Sequence, residues 1–505
     1  MQPLVGAVVG IPFLGAVVCL ALRDKASKYA AAAAAVLAAA AAVVLSVGLP
    51  RTTVLFGGMP WLGKAASKGV FGYQLDPLAI LMLLASTVIG AAIVIYSIGY
   101  LSPGNREQAT RSGQSRYYFW LMLFVGSMVG IAVSPTLLQL LIFWEMTTLC
   151  SWALISIYDN PESLKAGMKA LVMTSFGGLF FVGGLVWVMS ATGSMHFNAL
   201  GLMSPGARAG VFALFLIAAW AKSAQVPFHT WLPDAMAAPT PISAYLHAAA
   251  MVKAGVFLIA RLLLSGWHLP AGMGLLISIA ALVTMFGALY LYFFQDDLKR
   301  LLAYSTIAQL GYIFLGLGIG TMGATMASRG AVLHILMHAC AKTTLFLTVG
   351  AIAYATGTRS MSKLSGLARS MPIPAVAFFV GAFALTGVPP LACFWSKMYV
   401  LAGALQLHGA FGPIVLVLVL IESLISFGWF LWVGQKVFFG APSPIAGAIL
   451  RREPEDSANA QLEPVGTLDT PATMDWVLIA MILLTLVVPI VGIPLVSHLR
   501  IPGLF

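Results

Sequence analysis

Apolar residues run through this chain in blocks of around twenty, separated by short polar turns. A helix needs about 20 apolar residues to cross the hydrocarbon core, and lipid admits only helices or closed barrels because backbone polar groups must be satisfied internally. A barrel would alternate apolar and polar positions, and these blocks do not. The pattern predicts an all-α polytopic membrane protein of about 14 transmembrane helices. They lie near 3–22, 29–49, 77–100, 117–134, 136–157, 167–191, 209–232, 240–264, 272–293, 301–320, 329–355, 373–407, 412–436 and 476–497. The first block lacks a basic leader and a cleavage site, so it reads as a span that stays rather than a signal peptide. The seventh span contains Pro227 and the twelfth Pro389 and Pro390. Proline removes a backbone donor, and a broken span persists only where protein or a wet cavity covers it, so both breaks are candidate ion sites.

Composition and charge agree. Of 505 residues 60% are hydrophobic and 9% charged, against about 25% charged in soluble domains. One set of loops holds Arg23, Lys25, Lys28, Arg106, Arg111, Arg116, Lys165, Lys169, Lys299, Arg300, Arg359, Lys363, Arg369, Lys436, Arg451 and Arg452. The other holds Arg51, Lys64, Lys68, Arg208, Arg329 and Arg500. The positive-inside rule makes the richer side cytoplasmic and places both termini outside. The net charge of +11 then faces anionic lipid and implies no nucleic acid. The chain divides into residues 1–116 with three helices, repeats at 117–264 and 272–437, a polar cytoplasmic loop at 438–475 and a last helix at 476–505. Cys19, Cys150, Cys340 and Cys393 have no metal spacing and read as packing residues. No phosphate loop or Ser-His-Asp pattern is present, and no cofactor is expected.

Ionisable groups inside spans are expensive and read as functional by default. They are Glu145, Lys222, His247, Lys253, Arg261, His334, His338, Lys342, Lys397 and Glu422, with His229 near the first break. Glu145 in "LLIFWEMTTLCSW" reads as a proton site set by a movable positive partner, or as a carboxylate neutralised locally. Lys222, just before Pro227, is the candidate partner: a Glu–Lys pair that opens and closes would switch the lysine between holding and releasing a proton. His247 and Lys253 point in different directions on a helix, so each needs its own partner or water. Arg261 near a span end reads as snorkelling. In "AVLHILMHACAKTTLFL", His334, His338 and Lys342 are spaced four and four, forming one stripe that climbs roughly 12 Å. Two histidines at that spacing suit a metal, but no carboxylate or thiolate completes the set and Lys342 would repel a cation. A proton wire fits better, and no metal site is expected. Lys397 follows the second break as Lys222 precedes the first, an internal symmetry of transporter type. Glu422 has no basic residue within one turn and reads as facing a partner subunit or a cation.

The stretches "FWEMTTLCSW", "AKSAQVPFHTWLPDAMAAPTPISAYLHAAAMVKAGVFLIARL", "DDLKRLLAYSTIAQLGY" and "GVPPLACFWSK" resemble the antiporter-like subunits shared by respiratory complex I and Mrp cation/proton antiporters. Within that group the segment around His229 is most similar to the large A subunit of Mrp antiporters. The resemblance covers roughly 75–437. It implies fourteen core helices in two inverted five-helix repeats around a hydrated polar axis. By motif, Glu145 resembles the family's fifth-helix glutamate and Lys222 its seventh-helix lysine. His247 and Lys253 match the eighth helix, Lys299 the segment opening the tenth, His334 and His338 the eleventh and Lys397 the twelfth. The chain departs from the pattern twice. Met398 stands where many relatives carry an acid after "SK", and A subunits usually continue for several more helices.

The resemblance implies a subunit of a multisubunit Na⁺/H⁺ antiporter of the cell membrane, with other Mrp-type subunits as partners and Na⁺ and H⁺ as substrates. The expected order is coupling at Glu145 and Lys222, relay through Lys253 or His247, the His334–His338 stripe, and exit near Lys397. Two alternatives stay open: a proton-pumping subunit of a redox enzyme such as complex I, and an anion-uptake partner working with a soluble zinc protein.

Overall fold

A computed structural model describes residues 2–48, 51–57, 69–110, 112–445, 447 and 469–500. Twelve helices among them are long and apolar enough to cross a bilayer. They are α1 (Gln2–Ala21), α2 (Asp24–Ser46), α3 (Pro77–Tyr100), α4 (Gln114–Val133), α5 (Leu137–Ile155), α6 (Pro161–Thr192), a segment made of α9 (Thr240–Ala248) and α10 (Met251–Leu263), α11 (Ala271–Tyr292), α12 (Leu298–Thr321), α13 (Thr325–Thr356), α16 (Phe411–Phe438) and α17 (Ala472–Ser497). The two proline-broken spans form as helix pairs. The first is α7 (Pro205–Lys222) with the single turn α8 (Trp231–Asp234); the second is α14 (Pro372–Thr386) with α15 (Ala392–Ala404). The chain around Pro227 adopts a left-handed Ala224 at φ 50°, and that around Pro389 and Pro390 a left-handed Gly387 at φ 95°.

A third break carries no proline. The span predicted at 240–264 is two helices, α9 (Thr240–Ala248) and α10 (Met251–Leu263), joined through Ala250 at φ −118°, ψ −120°. His247 and Lys253 therefore flank an interruption rather than sharing one helix. The small residues "AAA" fit either geometry, so the local sequence does not announce it.

The chain is mostly helical, and one small sheet accompanies the helices. Strands β1 (Thr52–Phe56) and β2 (Phe71–Leu75) form an antiparallel hairpin, with Thr52 opposite Leu75 and Phe56 opposite Phe71. Its register is held from α5: the Gln139 side chain donates to the Gly72 carbonyl (3.0 Å) and accepts from the Gly72 N–H (2.8 Å), while the Thr136 hydroxyl donates to the Val70 carbonyl (2.8 Å). Gly72 fits because a Cβ there would collide with the Val54 carbonyl oxygen. These anchors lie more than sixty residues from the strands, beyond the reach of local pattern.

Helix α13 is the hub. It is buried without a gap from Gly330 to Thr356 and packs on α3, α9, α12, α14, α15 and α17. Helices α1, α2, α6, α16 and α17 keep large apolar side chains on the outside, such as Leu14, Val172, Leu179, Leu424 and Ile490, as a lipid-facing shell does. Charged contacts collect at the ends. One end holds Arg116–Asp159 (2.7 Å), Lys169–Asp234 (2.6 Å) and Arg359 between Glu107 (3.1 Å) and Asp297 (3.3 Å). The other, the hairpin end, holds Arg208 on the His268 carbonyl (2.9 Å). Lys64, Lys68, Arg111, Arg451, Arg452 and residues 446 and 448–468 of the predicted loop lie outside the described residues.

Candidate functional site

The hub helix α13 presents His334, His338 and Lys342, all fully enclosed. Around it α10, α12, α15 and α16 bring in the other ionisable groups. The Lys253 ammonium from α10 lies 2.8 Å from His338 Nδ1. A charged lysine only donates, so this contact makes Nδ1 the acceptor and leaves the ring proton on Nε2. That Nε2 is buried without a partner. His338 is thus arranged to accept at one nitrogen and release at the other, the minimum a proton shuttle requires.

The His338 and His334 ring centres are 5.6 Å apart. His334 Nδ1 meets the Ser396 hydroxyl (2.8 Å) and Nε2 meets Gln309 Oε1 (3.1 Å). The Ser396 hydroxyl also reaches the Cys393 carbonyl (3.1 Å). Neutral His334 accepts the serine proton at Nδ1. Protonated His334 donates at both nitrogens, and the serine proton turns to Cys393. Both states of the ring are satisfied without moving a heavy atom. Beyond His334 the Tyr312 ring stacks at 5.8 Å, and the Lys397 ammonium sits 4.7 Å above that ring. Lys397 also donates to the Thr386 carbonyl at the second break (3.2 Å) and to the Ser423 hydroxyl (3.1 Å). Lys253, His338, His334, Tyr312 and Lys397 therefore form one connected buried line.

Lys222 heads a second cluster. It closes α7, where its ammonium donates to the Trp144 carbonyl (2.8 Å) and the Thr148 hydroxyl (2.5 Å), 5.0 Å over the Trp144 ring. The direct Glu145–Lys222 pair expected from sequence is not formed. Glu145 is half-buried, turned toward Gly178 of α6, where a Cβ would run into its carboxylate, and it acts on Lys222 only through space. The two clusters meet through the Ser223 hydroxyl, which donates to the Val252 carbonyl beside Lys253 (2.8 Å). Lys342 is directed at α12, bonding the Leu302 carbonyl (3.0 Å) and the Ser305 hydroxyl. His247 lies against Phe346 (4.9 Å), both of its ring nitrogens buried without a partner. Among the described residues, no group of three His, Cys, Asp or Glu is placed to hold a metal ion.

Other expectations change with the tertiary contacts. Lys299 is not a loop cation; it is buried and donates to the Met236 (2.9 Å) and Ala238 (2.6 Å) carbonyls. His229 sits half-buried beside the first break, away from the buried line. Glu422 does not face outward to a partner or cation. It is fully buried, joined through Ser423 to the same hydroxyl that Lys397 bonds. Arg261 does not snorkel. Its side chain is 3% exposed and paired with Asp76, the N-cap of α3. Sequence reasoning passed over Asp76, Gln309, Tyr312, Ser396 and Ser423. An Asp-Pro start to an apolar run signals the first; neutral hydroxyls in membrane helices carry little signal.

The Arg261–Asp76 pair gives a test of stability. Burial alone would push the Asp76 carboxyl up, but the Arg261 guanidinium, with hydrogen bonds from Arg261, the Ala79 N–H and Gln74, outweighs it and holds the carboxyl below its usual range. The stabilisation is fully present above the unfolded value of about 3.9 and lost as pH falls through the lower folded one. Arg261→Met leaves Asp76 alone, so it is expected to destabilise the protein by about 3 kcal/mol, read as a lower thermal midpoint in nanodiscs. Arg261→Lys should recover part of the loss.

The chain is similar to known proteins in sequence and in fold. A family profile described as NADH:quinone oxidoreductase/Mrp antiporter, TM, matches residues 134–426. One described as NADH-Ubiquinone oxidoreductase (complex I), chain 5 N-terminus, matches 61–118. The Na(+)/H(+) antiporter subunit A1 of Staphylococcus haemolyticus (strain JCSC1435) is 36% identical over 423 residues, 78% of this chain and 51% of that protein. The chloroplastic NAD(P)H-quinone oxidoreductase subunit 5 of Anthoceros angustus is 38% identical over 365 residues, 68% of this chain and 48% of that one. A solved Mrp complex from Dietzia sp. DQ12-45-1b aligns with a TM-score of 0.77 and 29% identity, over 99% of this chain and 58% of that chain. The membrane-bound sulfane sulfur reductase, an archaeal respiratory membrane complex, aligns with a TM-score of 0.80 over 98% of this chain and 96% of that chain. At 22% identity that likeness is one of fold. The chain spans about half the length of the curated relatives it matches.

Proposed function

The chain belongs to the NADH:quinone oxidoreductase/Mrp antiporter family of membrane subunits, and from that premise we propose that it carries protons within a multisubunit monovalent cation/proton antiporter exchanging Na⁺ for H⁺ across the cell membrane. Its partners are other Mrp-type subunits. The observation that carries this reading is the buried line from Lys253 through His338 and His334 to Lys397, in which Lys253 bonds His338, His334 bonds Ser396 and Lys397 bonds Ser423. Glu145 and Lys222 form the coupling element at the first break. A Lys222 side chain that leaves Trp144 and Thr148 for Glu145 changes the field at Lys253, a coupling of a few kcal/mol at an effective dielectric near 20. The lysine at each broken helix supports a division into repeats at 117–264 and 272–437. The excess of basic residues in one set of loops supports placing both termini on the outer face.

The test uses the whole assembly in proteoliposomes. Glu145→Ala is expected to abolish Na⁺-driven proton movement while leaving assembly unchanged on size-exclusion chromatography. Full exchange in that variant ends the proposed role of Glu145. A second reading, a proton-pumping subunit of a redox-driven complex, is favoured by the 38% identity to a chloroplast subunit 5. The chains that co-purify decide between them: quinone- or iron–sulfur-binding subunits support the redox complex, and small membrane subunits support the antiporter.

A further inference from the structure

Glu422 is fully buried on α16, and among the described residues no cation forms an ion pair with it. Its partners are hydroxyls. Ser426 donates to Oε1 at 2.8 Å and itself meets the Tyr292 hydroxyl at 2.5 Å. Ser423 donates to Oε2 at 3.5 Å, and its oxygen accepts from the Lys397 ammonium at 3.1 Å. Tyr312 reaches the same Ser423 oxygen at 2.8 Å. One hydroxyl therefore separates an ammonium from a carboxylate that has no other cation to pair with. Met398, which follows Lys397 in the chain, is 45% exposed and offers no such group.

We propose that Glu422 is the acceptor that takes the proton from Lys397, with the Ser423 hydroxyl as the bridge. This inference rests on the proton-relay reading above. An N–H bond of Lys397 breaks as the Ser423 oxygen gains that proton. The original Ser423 O–H bond breaks as Glu422 Oε2 gains the other. An ammonium and a carboxylate become an amine and a carboxylic acid. The pair sums to zero charge before and after the step, and the transfer replaces two buried ions with two neutral groups, so no uncompensated charge is left in the low-dielectric interior. The Ser423–Glu422 contact is long, and transfer requires closing it by roughly 0.7 Å, within reach of a side-chain adjustment. The Ser426–Tyr292 contact holds the other carboxylate oxygen, which fixes the carboxyl for the step.

The experiment compares wild type, Glu422→Gln, Glu422→Asp, Ser423→Ala and Lys397→Ala in the reconstituted assembly, by cation-driven proton flux and by infrared difference spectra across a pH step. Glutamine keeps the size and hydrogen bonding of Glu422, so a purely structural role predicts normal flux. The proposal predicts a loss of about tenfold or more in Glu422→Gln and Ser423→Ala, partial retention in Glu422→Asp, and a carboxylic-acid band present in wild type and missing from Glu422→Gln. Wild-type flux in Glu422→Gln, or an unchanged band, overturns the inference. If Lys397→Ala is inactive while Glu422→Gln runs normally, only this inference falls. If Lys397→Ala runs normally, the relay reading falls and this inference with it.

Discussion

Lys253→Arg is expected to stop cation-coupled proton movement as completely as Lys253→Met, a loss of ~10²-fold or more for a group that itself transfers the proton. The two variants separate charge from proton chemistry. Arginine keeps a buried positive charge in nearly the same place but does not release its proton in a protein. Methionine removes charge and proton together while keeping the apolar stem. The geometry makes the prediction sharp because the Lys253 ammonium donates to His338 Nδ1 at 2.8 Å. Among the described residues no carboxylate forms an ion pair with Lys253 that would mask the change. A purely electrostatic role would leave Lys253→Arg active, and that result would remove Lys253 from the relay. His338→Gln is a companion test: an amide accepts from Lys253 but cannot pass a proton through a ring, so it should share the loss while keeping the fold.

The second large effect is expected at Lys222. Lys222→Met should lower exchange by ~10²-fold, and the double variant Lys222→Met/Glu145→Gln should lose little more than either single one. Residues acting as a unit are strongly non-additive, because once one partner is gone the other has nothing left to switch. The ground for coupling is positional. Lys222 is bonded to the carbonyl of Trp144, the residue before Glu145, and to Thr148 one turn on. Its ammonium therefore reaches Glu145 only by exchanging those two bonds for an ion pair. Additive losses in the flux assay would show two independent roles and remove the switch.

The hydrophobic blocks, with Pro227, Pro389 and Pro390, were enough to locate the spans and both of those breaks, because lipid leaves the backbone so few options. The same scarcity of charge singled out Lys222, Lys253, His334, His338, Lys397 and Glu422, since a titratable group in hydrocarbon is conspicuous wherever its neighbours are. Partners were another matter. Glu422 has no basic residue within one turn of its own helix, and the ammonium nearest to it in the fold, Lys397, comes from another helix. Arg261 read as a snorkelling end residue because Asp76 lies 185 positions away in the chain. The interruption between His247 and Lys253 escaped because alanine and methionine tolerate it without a signature.

The sequence by itself determined which residues could not be paid for by lipid, and so the class of the molecule and its roster of titratable groups. Only the tertiary structure decided which of them touch: that Lys253 meets His338, that neutral Ser396, Tyr312 and Ser423 fill the spaces between, and that Glu145 stands apart from Lys222. The physical reason is that transfer into lipid is a property of each side chain and its few neighbours in sequence. A hydrogen bond between helices depends on packing angle and depth, which distant parts of the chain set together.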